Sequence, residues 1–232
     1  MDNSKILTLT NLSFSYGSKL VLTNLNLSID HATIHGILGD NGAGKTTLFN
    51  LIFDNTNVNN HIQYHQDIIK EISYLETDTF FYSYMTGFEY LKLITQFNKQ
   101  EIDMWNEIFE LPLKEYVHTY STGMKKKLSL LGVLLLNKKL IILDEPFNGL
   151  DLKTCEIINY IIQRLKNLGK TIILSSHILE TVINNADKIS FLENGSIYKT
   201  YIKTEFEDLN VFVKSRFRDN VVSSINKLMP YE

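Results

Sequence analysis

The residues Gly39-Asp40-Asn41-Gly42-Ala43-Gly44-Lys45-Thr46-Thr47 have the types and spacing to hold a polyphosphate, in the pattern G-x-x-x-x-G-K-[ST]. Glycines permit backbone turns closed to residues with a Cβ, so successive N–H groups can aim at phosphate oxygens. Lys45 brings a compact positive charge for β- and γ-phosphates. The Thr46 hydroxyl is suited to Mg²⁺. Downstream, the aliphatic run Leu140-Ile141-Ile142-Leu143 ends in Asp144 and Glu145. Asp144 is placed to hold a Mg²⁺ shell, and Glu145 to orient and deprotonate an attacking water. A buried strand ending in Asp-Glu-Pro delivers both acids to the edge where open α/β sheets bind ligands, which two acids in a solvated loop would not do.

Other side chains admit two readings. Tyr16 is either a strand aromatic packing on a neighbour, which β propensity favours, or a platform for a base. Ser121, in Tyr120-Ser121-Thr122-Gly123-Met124, is a good helix N-cap. Lys125, Lys126 and Lys127 then fall in the first turn, where the helix dipole disfavours cations. They form a solvated charged face, or they mark a helix end that an anion visits. His177 closes the strand-like segment 171–176 and reaches the same edge as Asp144. His61 and His65 have the spacing of one helix face, but no cysteine or carboxylate cluster supports a metal there. The Asn-rich stretch 54–70 (Asn55, Asn57, Asn59, Asn60) reads as a solvated loop and strand edge.

These residues need elements to position them. Ile34 to Leu38 reads as a buried strand feeding the glycine loop, and Leu48, Leu51 and Ile52 recur at helical spacing after it. Strand, loop, helix is the context the motif requires. Leu25, Leu27 and Ile29 alternate with Asn26 and Ser28, as a half-buried strand does, and residues 5–38 read as β structure. Residues 86–119 carry Leu91, Ile94, Phe97, Met104, Trp105, Ile108 and Phe109 at spacings of three and four, which predicts a helical block that Pro112 breaks or starts. Asp151 is expected to cap the next helix, with Cys155 in its core. Val221, Ile225, Leu228 and Met229 suggest a helix in the tail.

Composition narrows the class. The chain has 232 residues, enough for one sizeable core or one domain with an insertion. A net charge of −3 gives no global basic field for nucleic acid. A single cysteine forbids a disulfide framework and points to a reducing cytosol. The N-terminus is polar and lacks a signal-peptide core, and no apolar run has membrane-helix length, so a membrane role would be peripheral, on the cytoplasmic face.

Taken together, these elements closely resemble the ATP-binding-cassette (ABC) ATPases over about residues 5–200. The resemblance is to exporter-type bacterial subunits. Gly39 to Thr46 look like Walker A, Leu140 to Glu145 like Walker B with its catalytic glutamate, and Asn148 to Asp151 like the D-loop. His177 looks like the switch histidine, Tyr16 falls where the family stacks adenine, and Ser121 to Met124 fall at the signature. The resemblance implies an α/β fold: a P-loop NTPase core (36–75 and 137–200), an N-terminal antiparallel β subdomain (5–35), an inserted α-helical subdomain (76–136) and a C-terminal tail (201–232). It implies ATP and Mg²⁺ as ligands. It also implies a homodimer in the ATP-bound state, in which Ser121 and Gly123 of one copy meet the nucleotide on Lys45 of the other, and a separate membrane permease as partner. No direct contact with nucleic acid is expected.

Two departures stand out. The usual Leu-Ser-Gly-Gly-Gln signature is here Tyr120-Ser121-Thr122-Gly123-Met124. The Q-loop glutamine is absent, with Thr77, or else Glu76, at its place, so the water-mediated contact to Mg²⁺ and the coupling to the permease that the resemblance implies would fall to Thr77, a departure from the family's pattern. Arg164, Arg216 and Arg218 are the only arginines and none lies in a motif, so no arginine finger is suggested. Alternatives are a nucleotide-gated scaffold with weak hydrolysis and a soluble ABC ATPase of translation or DNA repair.

Overall fold

The computed structural model describes residues 4–54, 61–66 and 68–216. β1 (Lys5–Tyr16) and β2 (Lys19–Asp30) form an antiparallel hairpin. Leu22, Leu25, Leu27 and Ile29 are buried while Asn26 and Ser28 are exposed, the alternation the sequence shows. β3 (Ile34–Leu38) leads into the glycine loop and α1 (Lys45–Asp54) leaves it. β4 (Ile62–Tyr64) then pairs with the free edge of β1, giving the order β2-β1-β4.

The larger sheet has the order β5-β6-β7-β3-β8-β9, from β5 (Ile72–Leu75), β6 (Leu140–Leu143), β7 (Thr171–Ser176), β8 (Lys188–Glu193) and β9 (Ser196–Ile202). Its pairings are parallel except for β9, which returns antiparallel on β8. β3, β6 and β7 are buried at every residue, because parallel interior strands are covered on both faces. On one face α1 sends Leu48, Phe49 and Ile52 into a core shared with Leu7, Leu25 and Ile142. The other face carries α2 (Gly87–Ile94), α3 (Lys99–Phe109), α4 (Thr122–Leu135), α5 (Leu152–Asn167), α6 (Leu179–Asn185) and α7 (206–216) around a second core that includes Leu131, Ile158, Leu174 and Val182. Among the described residues, no helix is long and apolar enough to cross a membrane.

The block 86–119 is divided more finely than its spacing suggests. α2 and α3 are separate helices and only a 3₁₀ turn, Val117–Thr119, follows Pro112. Each α-helix begins with a reciprocal capping box, Thr86 with Glu89 and Asn98 with Glu101, which fixes its start by satisfying orphan backbone donors. Ser121 and Asp151 cap α4 and α5 as the sequence predicts. Cys155 is half-buried rather than core, since Thr154, Ile158 and Ile162 occupy the inward face of α5. The tail positions Val221, Ile225, Leu228 and Met229, the asparagines 55–60 and Arg218 lie outside the described residues.

Candidate active site

Three parallel strands end side by side, and each delivers a polar residue to the same edge. β3 gives way to the glycine loop, β6 to Asp144 and Glu145, and β7 to His177. The edge is the C-terminal one, where open α/β sheets bind ligands. A backbone hydrogen bond from Gly39 N to Ser176 O, 3.3 Å, ties the loop's start to β7.

Within the loop Gly44 has φ 108°, and a Cβ there would lie 2.8 Å from Leu22 Cδ2, so only glycine fits. Lys45 is 6% exposed. Its Nζ donates to Gly39 O at 2.6 Å and Asp40 O at 3.1 Å, and lies 3.3 Å from Glu145 Oε1. The two carbonyls aim the ammonium across the mouth of the loop. The Thr46 hydroxyl donates to Asp144 Oδ2 at 2.6 Å. A hydroxyl beside a carboxylate, both oxygen donors, fits Mg²⁺, which takes few protein ligands and keeps waters and phosphate oxygens. The donor set present therefore suits that ion.

Asp144 is fully buried and Glu145 is 6% exposed. Ser175 joins them: its hydroxyl donates to Asp144 Oδ1 and accepts from Glu145 N at 2.9 Å. Glu145 adopts φ 47°, in the left-handed region that a residue with a Cβ avoids. Strain of this kind costs on the order of 1–3 kcal/mol and persists where surrounding contacts over-determine it. His177 Nδ1 lies 3.0 Å from Glu145 Oε1, and the ring donates to the carboxylate. Glu145 is thus held between Lys45 and His177.

A cleft of about 360 Å³ opens over these groups, lined by Tyr16, Asn41, Gly42, Gly44, Lys45, Thr46, Thr47, Thr77, Asp144 and Glu145. Tyr16 packs edge-on against Phe14, centroids 5.0 Å apart, as the packing reading expects, and the residue is 55% exposed and lines the cleft. A larger cleft of about 520 Å³ lies between Ile94–Phe97 and Leu135–Lys138, but it gathers no comparable set of groups.

Ser121 and Gly123 are not brought to this cleft. The Ser121 hydroxyl accepts from Met124 N at 3.2 Å and stays exposed at the start of α4. The three lysines behind it do not lie in the first turn. α4 begins at Thr122, so Lys125 to Lys127 lie beyond its first three residues, where the dipole penalty has faded. They are not one solvated face either: Lys126 is buried, and Lys127 lies 3.8 Å from Asp151 Oδ2. His61 and His65 do not converge. His61 Nδ1 meets Thr10 O at 3.0 Å, and His65 stacks edge-on with His31. No group of three or more potential metal-binding side chains (His, Cys, Asp or Glu) occurs among the described residues.

The sequence reading missed four residues around the site. Lys19 and Val21 line the cleft; Lys19 pairs with Tyr16 across the hairpin, and the Gly17-Ser18 turn between them was the clue in the sequence. Ser175 left no signal beyond being a polar residue in an aliphatic strand. Lys126 lies three, four and seven residues before Ser129, Leu130 and Val133, all buried, so helical spacing placed it inward.

Comparison with known proteins agrees with this geometry. Residues 22–148 match the family described as ABC transporter. The lantibiotic transport ATP-binding protein SrtF of Streptococcus pyogenes is 30% identical over 83% of this chain and 89% of its own length. The bacitracin transport ATP-binding protein BcrA of Enterococcus faecalis is 31% identical over 86% of this chain and 70% of its own. A solved structure of an ATP binding subunit of an ABC transporter superposes with a TM-score of 0.76 at 26% identity, over 85% of this chain and 90% of that one. The chain belongs to the ABC transporter family, as one of its ATP-binding, ATP-hydrolysing subunits.

Proposed function

We propose that this chain hydrolyses ATP as one of two cassettes that close over the nucleotide, and that a separate permease converts closure into transport, with export as the direction. The observation that carries the reading is Glu145, buried and held between Lys45 and His177 beside the Thr46–Asp144 pair. In this reading the backbone of Asn41 to Thr47 cradles the phosphates, Lys45 spans the β- and γ-phosphates, and Tyr16 offers its ring to the base. Glu145 takes the proton of the attacking water, and His177 holds the carboxylate in place. Thr46 and Asp144 hold Mg²⁺, which supplies neutralising charge to the phosphates when bound. Thr77 lines the cleft at the place of the absent glutamine and would meet the ion through a bound water.

Ser121 and Gly123 stand outside the cleft because they serve the nucleotide of the second copy. The boundaries near 36, 76 and 137 divide the chain into the parts that hold nucleotide and the helical part that carries Ser121. The relatives named for lantibiotic and bacitracin transport support transport as the outcome. Thr77 and the altered signature favour one second reading, a nucleotide-gated scaffold with weak hydrolysis.

Glu145→Gln should keep ATP binding and lower steady-state turnover by roughly 10²-fold or more. Near-normal turnover in that variant removes Glu145 as the base. Negligible hydrolysis by the unaltered chain at micromolar concentration selects the scaffold. Recovery of a permease with the chain from solubilised membranes tests the partner.

A further inference from the structure

Among the described residues, the roles above leave one buried cation, Lys126, unused. Lys126 is 7% exposed, and its Nζ donates to the carbonyl oxygens of Glu76 at 3.3 Å, Thr77 at 3.4 Å and Asp144 at 3.2 Å. Among the described residues it forms no ion pair within 4.0 Å. Burial pulls its pKa down, while Asp144, Asp78 and Glu145 favour the charged form from a distance. Removing an ammonium from water for carbonyl contacts alone is costly, and an apolar side chain of the same length would fill the space without that cost. Packing therefore does not explain a lysine here.

Its contacts do. They join three segments distant in sequence: α4, the loop that follows β5, and the turn where β6 gives way to Glu145. Thr77 faces the cleft that holds Lys45 and Glu145. It also faces a second cleft of about 340 Å³ that Lys126 lines with Asp78, Thr122 and Gly149. Thr77 thus stands between the two, and Lys126 holds its carbonyl from the side of the second cleft. The carbonyl it takes from Asp144 belongs to the peptide that leads into Glu145, the residue whose φ of 47° needs external support. Ser175 supports the N–H side of that same peptide.

We propose that Lys126 is a positioning residue for hydrolysis: it ties the loop at Glu76–Thr77 to the Asp144–Glu145 peptide and sets the attitude of the Glu145 carboxylate by the position of α4. The inference rests on the ATPase reading given above. It assigns to a main-chain clamp a coupling for which Thr77 has no long side chain.

The test compares the full chain with Lys126→Met and Lys126→Arg. Measured are kcat and KM for MgATP, the affinity for a fluorescent ATP analogue, the melting temperature, and amide exchange at residues 76–79 and 144–147. Lys126→Met is expected to bind the analogue within about twofold of the unaltered chain and to lose about tenfold or more in kcat. Lys126→Arg, which keeps the charge and donors, is expected to recover at least about half of that loss. Amide exchange in Lys126→Met should rise at 76–79 and 144–147 and stay unchanged in β3 and α1. An unchanged kcat in Lys126→Met overturns the proposal. So does an equal fall in affinity and kcat that arginine does not rescue, since that is loss of packing alone. If the unaltered chain fails to hydrolyse ATP, the functional reading falls, and the exchange result still decides: no local change at 76–79 and 144–147 shows that the tie does not exist.

Discussion

At the residue scale the site is built by opposing constraints on Glu145. Its carboxylate is fixed from two sides by Lys45 and His177, and its backbone is held in the left-handed region with Ser175 on its N–H. Ser175 also donates to Asp144, so one hydroxyl registers the proposed Mg²⁺ ligand against the proposed base. Ser175→Ala should leave ATP affinity unchanged and lower kcat about tenfold, because misplaced reacting groups cost rate more than binding. Steady-state kinetics beside an equilibrium binding titration would show it, and a parallel fall in affinity would count against this role. Lys45→Ala should abolish tight nucleotide binding in the same titration, through loss of the charge that meets the phosphates. The glycine loop and the acid pair were legible because their chemistry needs fixed residue types at fixed spacing. Ser175 was not, because a hydroxyl acquires its meaning from the neighbouring strand.

At the element scale, α2 and α3 owe their starts to caps. Asn98 accepts from Glu101 N at 3.0 Å while Glu101 accepts from Asn98 N at 2.8 Å. Asn98→Ala should cost about 1 kcal/mol and lower Tm by about 2–4 °C, measured by calorimetry. Periodicity showed that this region is helical but blurred two helices into one block, since it records which side chains face inward and not where the chain turns. The patterns T-x-x-E at Thr86 and N-x-x-E at Asn98 carried the missing information. α4 illustrates the reverse problem. Three consecutive lysines read as one charged patch, yet a helix turns about 100° per residue, so one of the three points into the core.

At the scale of the whole molecule, the central strand β3 carries a buried histidine that makes stability depend on pH. His35 is 1% exposed, with Nε2 2.8 Å from Ser190 Oγ, which in turn lies 2.7 Å from Thr200 Oγ1. Burial, reinforced by Lys188, pulls its pKa down to about 4 against the opposing pull of Asp30. The unfolded chain, with an ordinary histidine near 6.5, takes up the proton first. Its contribution to stability is complete above pH 6.5 and drains away as pH falls to about 4. The loss is about 3 kcal/mol over that window. Urea unfolding between those pH values should show the decline, and His35→Asn should flatten it. The assembly belongs to this scale too. Ser121 lies apart from Lys45 within one chain, so ATP-loaded Glu145→Gln should elute as a pair in size-exclusion chromatography. A strict monomer at high concentration with the permease present would rule out shared closure.

The sequence by itself determined the glycine loop between β3 and α1, the buried strand that ends in Asp144 and Glu145, the alternation of β2 and the caps at Ser121 and Asp151, because each is a local rule in which backbone sterics, burial period or an orphan donor selects a residue type. Only the tertiary structure decided that Ser175 bridges Asp144 and Glu145, that Lys126 grips carbonyls from two distant segments, and that Lys45 faces Glu145. Those contacts join residues far apart in the chain. Their existence follows from the strand order β5-β6-β7-β3, which sets β6 and β7 between two strands that precede both in sequence, and short-range patterning holds no record of that arrangement.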